Sequence, residues 1–135
     1  MEIRRLRIGD EDVVASLATS KPQTALLGDE RTIFLVAFDD EGAPIGFVFG
    51  YELPRRHGDP TQLLVYEVDV DESHHRRGIG KALLGELASI ARERGIVEGW
   101  VLTDEDNEAA MALYRSAGGI RPQEVTMWEF RYTAG

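Results

Sequence analysis

Between Tyr66 and Gly85 the chain passes from an alternating, β-branched run, Tyr66-Glu67-Val68-Asp69-Val70, through His75-Arg76-Arg77-Gly78-Ile79-Gly80-Lys81 into a long amphipathic stretch. The period-2 run is read as a strand with Glu67 and Asp69 on one face and Tyr66, Val68 and Val70 on the other. After the glycines, Ile79, Leu83, Leu84, Leu87, Ile90 and Ala91 recur at helical spacing, while Lys81, Glu86, Arg92 and Glu93 fall on the solvated side. A strand that feeds a helix across two glycines can turn tightly and aim free N–H groups, with the positive end of the helix dipole, at an anion. Arg76 and Arg77 add charge to that candidate diphosphate cradle. Taken alone, Gly-x-Gly equally describes a plain turn flanked by two surface arginines. The third glycine of a dinucleotide fingerprint and the Gly-Lys-Ser/Thr of an ATPase phosphate loop are both missing, so the anion is a different diphosphate.

A second motif lies further on. Asn107-Glu108-Ala109-Ala110-Met111-Ala112-Leu113-Tyr114-Arg115-Ser116-Ala117-Gly118 opens on a capping residue and closes on glycine, the pattern of a short helix. The strand, the Arg-Arg-Gly-Ile-Gly-Lys turn, the long helix and the Asn…Ala…Leu-Tyr-x-x-x-Gly helix, in this order, resemble the GNAT superfamily of acetyl-CoA-dependent N-acetyltransferases. Within it, Tyr66 to Val70 followed by His74 to Gly80, together with Tyr51-Glu52-Leu53-Pro54-Arg55, look most like the aminoglycoside 3-N-acetyltransferases. The resemblance runs from the strand at Ile3 to the strand at Val125 to Tyr132. It implies an α/β (α+β) fold with a mixed, mostly antiparallel central sheet, helices on its faces and one parallel strand pair splayed to admit the pantetheine arm.

The resemblance also implies roles. Glu67 matches the base that takes the amine proton, and Tyr114 the acid that meets the departing thiolate of coenzyme A. Acetyl-CoA, as co-substrate, is expected on Val68, Val70, His75, Arg76, Arg77, Gly78, Ile79, Gly80, Lys81 and Asn107. Asp69 either tunes the site or, with Glu52, Asp104, Asp106 and Glu124, contacts the ammonium groups of the acceptor. Strand N–H groups around Val68 to Val70 are placed to polarise the thioester oxygen. Two positions depart from the family pattern. His75 stands where an Arg or Gln is usual, and Gly119 stands where an aromatic residue usually follows the short helix. The expected reaction is acetyl transfer to the 3-amino group of an aminoglycoside. The alternatives are a polyamine, another small amine or a protein N-terminus as acceptor, or a module that senses acetyl-CoA without turnover.

The 135 residues fit one compact N-acetyltransferase domain, 1–135. No cysteine is present, which excludes a disulfide, a thiolate metal site and a cysteine nucleophile; His57, His74 and His75 are too scattered for a metal centre, and none is expected. With no long apolar run and no signal-peptide start, a cytoplasmic, soluble protein without a membrane partner is expected. A net charge of −9 disfavours nucleic acid and favours a small cationic amine. A homodimer is a further expectation of the reading.

Elsewhere Ile3, Leu6 and Ile8 indicate a first strand, and Val13, Val14, Leu17 and Ala18 a helix stopped by Lys21-Pro22, with Pro22 to Asp29 a turn that walls the acceptor site in the family. Thr32 to Phe38 and Pro44 to Tyr51 form a hairpin about Asp39-Asp40-Glu41-Gly42. Pro54 to Pro60 is a loop. Gln62 to Val70 is the central strand, Gly78 to Arg94 the main helix, Gly99 to Thr103 a parallel strand and Val125 to Tyr132 the last strand.

Overall fold

The computed structural model describes residues 1–133. Strand β1 (Glu2–Arg5) leads through Leu6 to helix α1 (Glu11–Leu17), and a 3-10 turn at Ala25–Gly28 precedes β2 (Thr32–Phe38). Strands β3 (Pro44–Pro54) and β4 (Thr61–Val70) follow, then a 3-10 turn at Glu72–His74, helix α2 (Ile79–Glu93), strand β5 (Gly99–Val101) and helix α3 (Glu108–Ser116). The sheet runs in sequence order, β1-β2-β3-β4-β5, antiparallel except for the parallel β4–β5 pair. The β2–β3 hairpin closes because the Asp39 carboxylate accepts from the N–H groups of Glu41 and Ala43, both at 2.9 Å.

Every residue of β2 is buried, because helices cover both sheet faces. On one face Ile33, Leu35 and Val48 pack with Leu63 against Leu83 and Leu87 of α2. On the other, Phe34, Val36, Phe38 and Phe49 pack against Val14, with Val13, Leu17 and the 3-10 residues Leu26 and Leu27 completing the layer. The C-terminus of α2 closes with Ile96 donating back to the Ala91 carbonyl at 2.8 Å and burying its side chain in the first cluster.

Two features position the site. The β4–β5 ladder has only three pairs, Leu63 to Val65 against Gly99 to Val101, while β4 continues to Val70. The strands therefore part beyond Val65, which is the splay the resemblance implies. The second feature is a bulge. Phe49 faces Glu67 and Gly50 faces Val65, so Tyr66 is the extra residue of β4. This corrects the simple alternation: Tyr66 packs edge-on against Phe49 and Tyr51, not with Val68 and Val70 on the α2 side.

Other boundaries move for local reasons. After Arg5 the β1–β2 register carries on for one more bond, from the Leu6 N–H to the Phe34 carbonyl at 2.8 Å; Leu6 is buried, whereas Ile8, expected in the strand, is exposed. The stretch Val125 to Tyr132, read as a last strand, is not one here. It is exposed, without a backbone hydrogen bond to the sheet among the described residues. Among these residues no helix is long and apolar enough to cross a membrane.

Candidate active site

The turn from Asp71 to Gly80 shapes the first part of the site. Gly78 precedes α2 with φ 77°, in the left-handed region where a Cβ is strained, and no side chain caps this helix end. Arg76 also adopts a left-handed conformation, φ 65°, although it is not glycine. Two left-handed residues ahead of an uncapped helix curl successive N–H groups into a concavity suited to anionic oxygen. Gly80 is buried beneath α3, and a Cβ there would stand 3.0 Å from Leu113 Cδ2, so the close seating of α3 on α2 depends on it. The exposed side chains of Arg76, Arg77 and Lys81 surround this end, while Ile79 is buried as an anchor in the core.

His75 serves the turn in a different way from that expected. Its Nε2–H donates to the Val70 carbonyl at 2.8 Å, so the ring fastens the cradle to the end of β4 instead of reaching toward phosphate. Asp71 is the other tether. Its carboxylate accepts from the Ser73 hydroxyl at 2.9 Å and lies 3.3 Å from His74 Nδ1, and these contacts hold its pKa below the usual carboxylate value.

The splay opens into a cavity of about 320 Å³ walled by Tyr66, Glu67, Val68 and Asp69 from β4, Leu102 and Thr103 after β5, and Asn107, Ala110 and Tyr114 of the α3 region. A second cavity, about 260 Å³, lies under the segment from Val14 to Leu26 against Phe34, Phe47 and Phe49. The two share Leu17, Thr19, Phe47 and Glu67. Glu67 thus stands in the wall common to both, brought there by the bulge next to it.

Tyr114 faces the first cavity half-buried, and burial raises the pKa of its phenol. The hydroxyl stays protonated through the neutral range, as a proton donor requires. Asn107 caps α3 by accepting from the Ala110 N–H at 3.0 Å through its side-chain oxygen, which leaves the amide NH₂ for a ligand. Val68 and Val70 turn their side chains toward the α2 core, so any contact they make with a cofactor comes from backbone. Tyr51, beside Tyr66, has its pKa raised first by burial and then by the charges of Tyr66 and Glu67.

The structure does not assemble all the acids read from the sequence. Glu52 is buried and bonded to Arg94 Nε at 2.5 Å, locking β3 to the end of α2, and it lines neither cavity. Asp104 and Asp106 lie in the exposed turn before α3 and Glu124 on the exposed C-terminal stretch, and none of the three lines either cavity. The sequence reading passed over Thr19, Lys21, Phe47 and Thr103. Lys21 is legible only as a helix stop, one residue ahead of the Pro22 to Asp29 turn expected to wall the acceptor, yet it lines the second cavity. Gly119 has a local explanation: a Cβ there would fall 2.9 Å from the Tyr114 carbonyl oxygen, which accepts the Gly119 N–H.

The fold agrees with what known proteins show. Residues 2–118 match the family described as the Acetyltransferase (GNAT) family, and the chain belongs to it. Acetyl-CoA is the co-substrate of that family. An L-2,4-diaminobutyric acid acetyltransferase of Streptomyces coelicolor is 34% identical over 82% of this chain and 64% of its own length. A mycothiol acetyltransferase of Paenarthrobacter aurescens is 35% identical over 65% of this chain and 27% of its own length. The chain therefore spans just under two thirds of the first of these relatives and about a quarter of the second. Among solved structures, an aminoglycoside acetyltransferase from an uncultured soil metagenomic sample superposes with a TM-score of 0.88 at 25% identity, over 98% of both chains.

Proposed function

We propose that the protein transfers the acetyl group of acetyl-CoA to a primary amine, with Glu67 as base and Tyr114 as acid. The observation that carries this reading is the place of Glu67 in the wall shared by the two cavities, with Tyr114 on the first. The residues fit the co-substrate. The left-handed turn and uncapped N-terminus of α2 offer N–H donors and arginine charge to the diphosphate, and Asn107 and the free edge of β4 flank the path of the pantetheine arm. Bound there, acetyl-CoA supplies the activated acetyl group.

The chain's own groups then act in sequence. An alkylammonium entering the second cavity meets the Glu67 carboxylate, which takes its proton directly or through a water and frees the nitrogen lone pair. Strand N–H groups between Val68 and Val70 face the developing negative oxygen. Tyr114 holds a proton at Oη for the departing sulfur, and the aromatic wall of Phe47, Phe49 and Tyr66 limits water at the reacting centre.

The leading acceptor is the 3-amino group of an aminoglycoside. The adjacent acids Glu67 and Asp69, the charge of −9 and the likeness to an aminoglycoside acetyltransferase support it. A second reading rests on Lys21, which lines the acceptor-side cavity and suits a carboxylate. That favours a small diamine bearing an acid group, the type of compound named for the S. coelicolor relative. The discriminating experiment is thiol release from acetyl-CoA across aminoglycosides, polyamines, diamino acids and peptide N-termini. Glu67→Gln should lower turnover on the accepted amine by about a hundredfold with acetyl-CoA affinity unchanged. Full turnover by that variant rejects the base, and no thiol release with any amine rejects the enzyme reading in favour of an acetyl-CoA sensor.

A further inference from the structure

Of the 15 basic side chains, 13 are arginines, and Lys21 and Lys81 are the two lysines. A guanidinium stays protonated and does not serve as an acyl acceptor, whereas a lysine amine does once it gives up a proton. With the Met1 ammonium, the two lysines are the primary amines that the chain itself presents to a bound thioester. They occupy three different places. Met1 pairs with Asp40 at 3.2 Å at the β2–β3 hairpin, and Lys81 stands exposed in the first turn of α2; neither lines a cavity. Lys21 lines the second cavity, and so does Glu67.

Within that cavity, among the described residues, Glu67 is the one acid and Lys21 the one cation. The ion pairs of the described residues engage Met1, His74 and arginines, never a lysine, so no carboxylate holds the Lys21 amine away from the cavity. A flexible four-carbon stem carries that amine. An amine and the carboxylate assigned to deprotonate amines therefore wall the same cavity of about 260 Å³.

We infer that Lys21 is an internal acetyl acceptor: with acetyl-CoA bound and no amine substrate in the cavity, its ε-nitrogen takes the acetyl group and becomes acetyl-lysine. The inference rests on the acetyl-transfer reading of the same site. Glu67 takes one proton from the Lys21 ammonium, and the freed lone pair forms a C–N bond to the thioester carbon. As the tetrahedral centre collapses, the nitrogen sheds a second proton to water, the C–S bond breaks and the sulfur leaves with the Tyr114 proton as a thiol. Tyr114 then recovers a proton from water. One ammonium and one thioester give one amide, one thiol and one released proton. The step is intramolecular, so it needs no encounter with a second protein. It happens once, because the amide nitrogen is no longer a nucleophile, and it removes the Lys21 charge. A chain so modified has lost its contact for a carboxylate-bearing amine, while an amine substrate already in the cavity keeps the lysine out.

The test incubates the full chain with acetyl-CoA alone and follows it by intact-mass and peptide mass spectrometry. One acetyl group per chain should appear on Lys21, at a rate per chain that does not change with protein concentration. Glu67→Gln should slow it about a hundredfold, Lys21→Arg should gain no group at that rate, and any amine that the thiol-release panel finds to be accepted should suppress it. Thiol release with an external amine while Lys21 stays unmodified overturns the inference and leaves the acetyl-transfer reading intact. Labelling of Lys81 or Met1 as fast as Lys21, or equal labelling in Glu67→Gln, also overturns it, since that is the unaided reaction of acetyl-CoA with an exposed amine. So does a rate that rises with protein concentration, which places the reaction between chains. No thiol release with any amine and no labelling rejects the acetyl-transfer reading itself, and the inference with it.

Discussion

Arg76 holds a left-handed conformation that costs an L residue roughly 1 kcal/mol or more, in a turn where glycine stands only two positions away. The strain has a use if the arginine side chain and the curled backbone serve the same anion. Arg76→Gly should then raise stability by about 0.5 kcal/mol, the relief being partly offset by the larger unfolded-state entropy of glycine. It should also weaken acetyl-CoA binding about tenfold through the lost charge. Chemical denaturation and calorimetry on the one variant separate the two effects, and unchanged affinity would remove Arg76 from the cradle. At Tyr114 the sign is set by burial, which raises the folded-state pKa above 10. The phenol is therefore protonated at neutral pH, and its stabilising contribution is complete below the unfolded value and lost as pH rises through the folded one. Tyr114→Phe should lower turnover about tenfold, less than Glu67→Gln because water can donate in its place, and should remove any alkaline limb of the rate profile above about pH 10. An unaltered profile would assign that limb to another group.

At the scale of elements, the ion pair of Glu52 and Arg94 ties β3 to the last turn of α2, the helix whose first turn forms the cradle. Glu52→Ala leaves a partly buried guanidinium without its partner, and a loss of about 2 kcal/mol is expected with turnover per folded molecule unchanged. A loss of acceptor affinity at full stability would return Glu52 to the substrate site. The contrast between Glu52 and Glu67 shows what the sequence could and could not carry. Both were read as acids near a strand end, but Glu52 falls opposite Leu63 in a continuous ladder and turns inward, whereas Glu67 follows a one-residue bulge. A bulge adds no residue type to the sequence, so period-2 reasoning placed Tyr66 on the wrong face while placing Glu67 correctly. α2 and α3 were legible nearly to their ends, because Gly78, Asn107 and Gly118 are local signals that need no tertiary partner. Val125 to Tyr132 misled for the opposite reason. Its alternation is real, but whether it pairs is decided by what lies beside it, which its own residues do not encode.

For the whole molecule, the charge of −9 and the placement of individual acids have to be weighed separately. Asp104, Asp106 and Glu124 lie outside both cavities, so on the proposed reading they would act on an approaching cation only as part of the long-range field, while Glu67, in the wall of both cavities, and Asp69, in the wall of the first, are placed to act at short range. The field is screened over about 30 Å at 0.01 M salt but about 10 Å at 0.1 M, whereas contacts inside a partly closed cavity survive that change. A polycationic aminoglycoside draws on both, and its KM should rise several-fold across this range with kcat nearly constant. A diamine that carries a carboxylate has little net charge for the field to attract, and it gains a contact to Lys21. Its KM should therefore stay nearly flat in salt and rise on Lys21→Ala. The two acceptors thus differ in a quantity that needs no knowledge of the bound pose. A steep salt dependence that is insensitive to Lys21 supports the aminoglycoside, and a flat one lost with Lys21 replaces it with the acidic diamine.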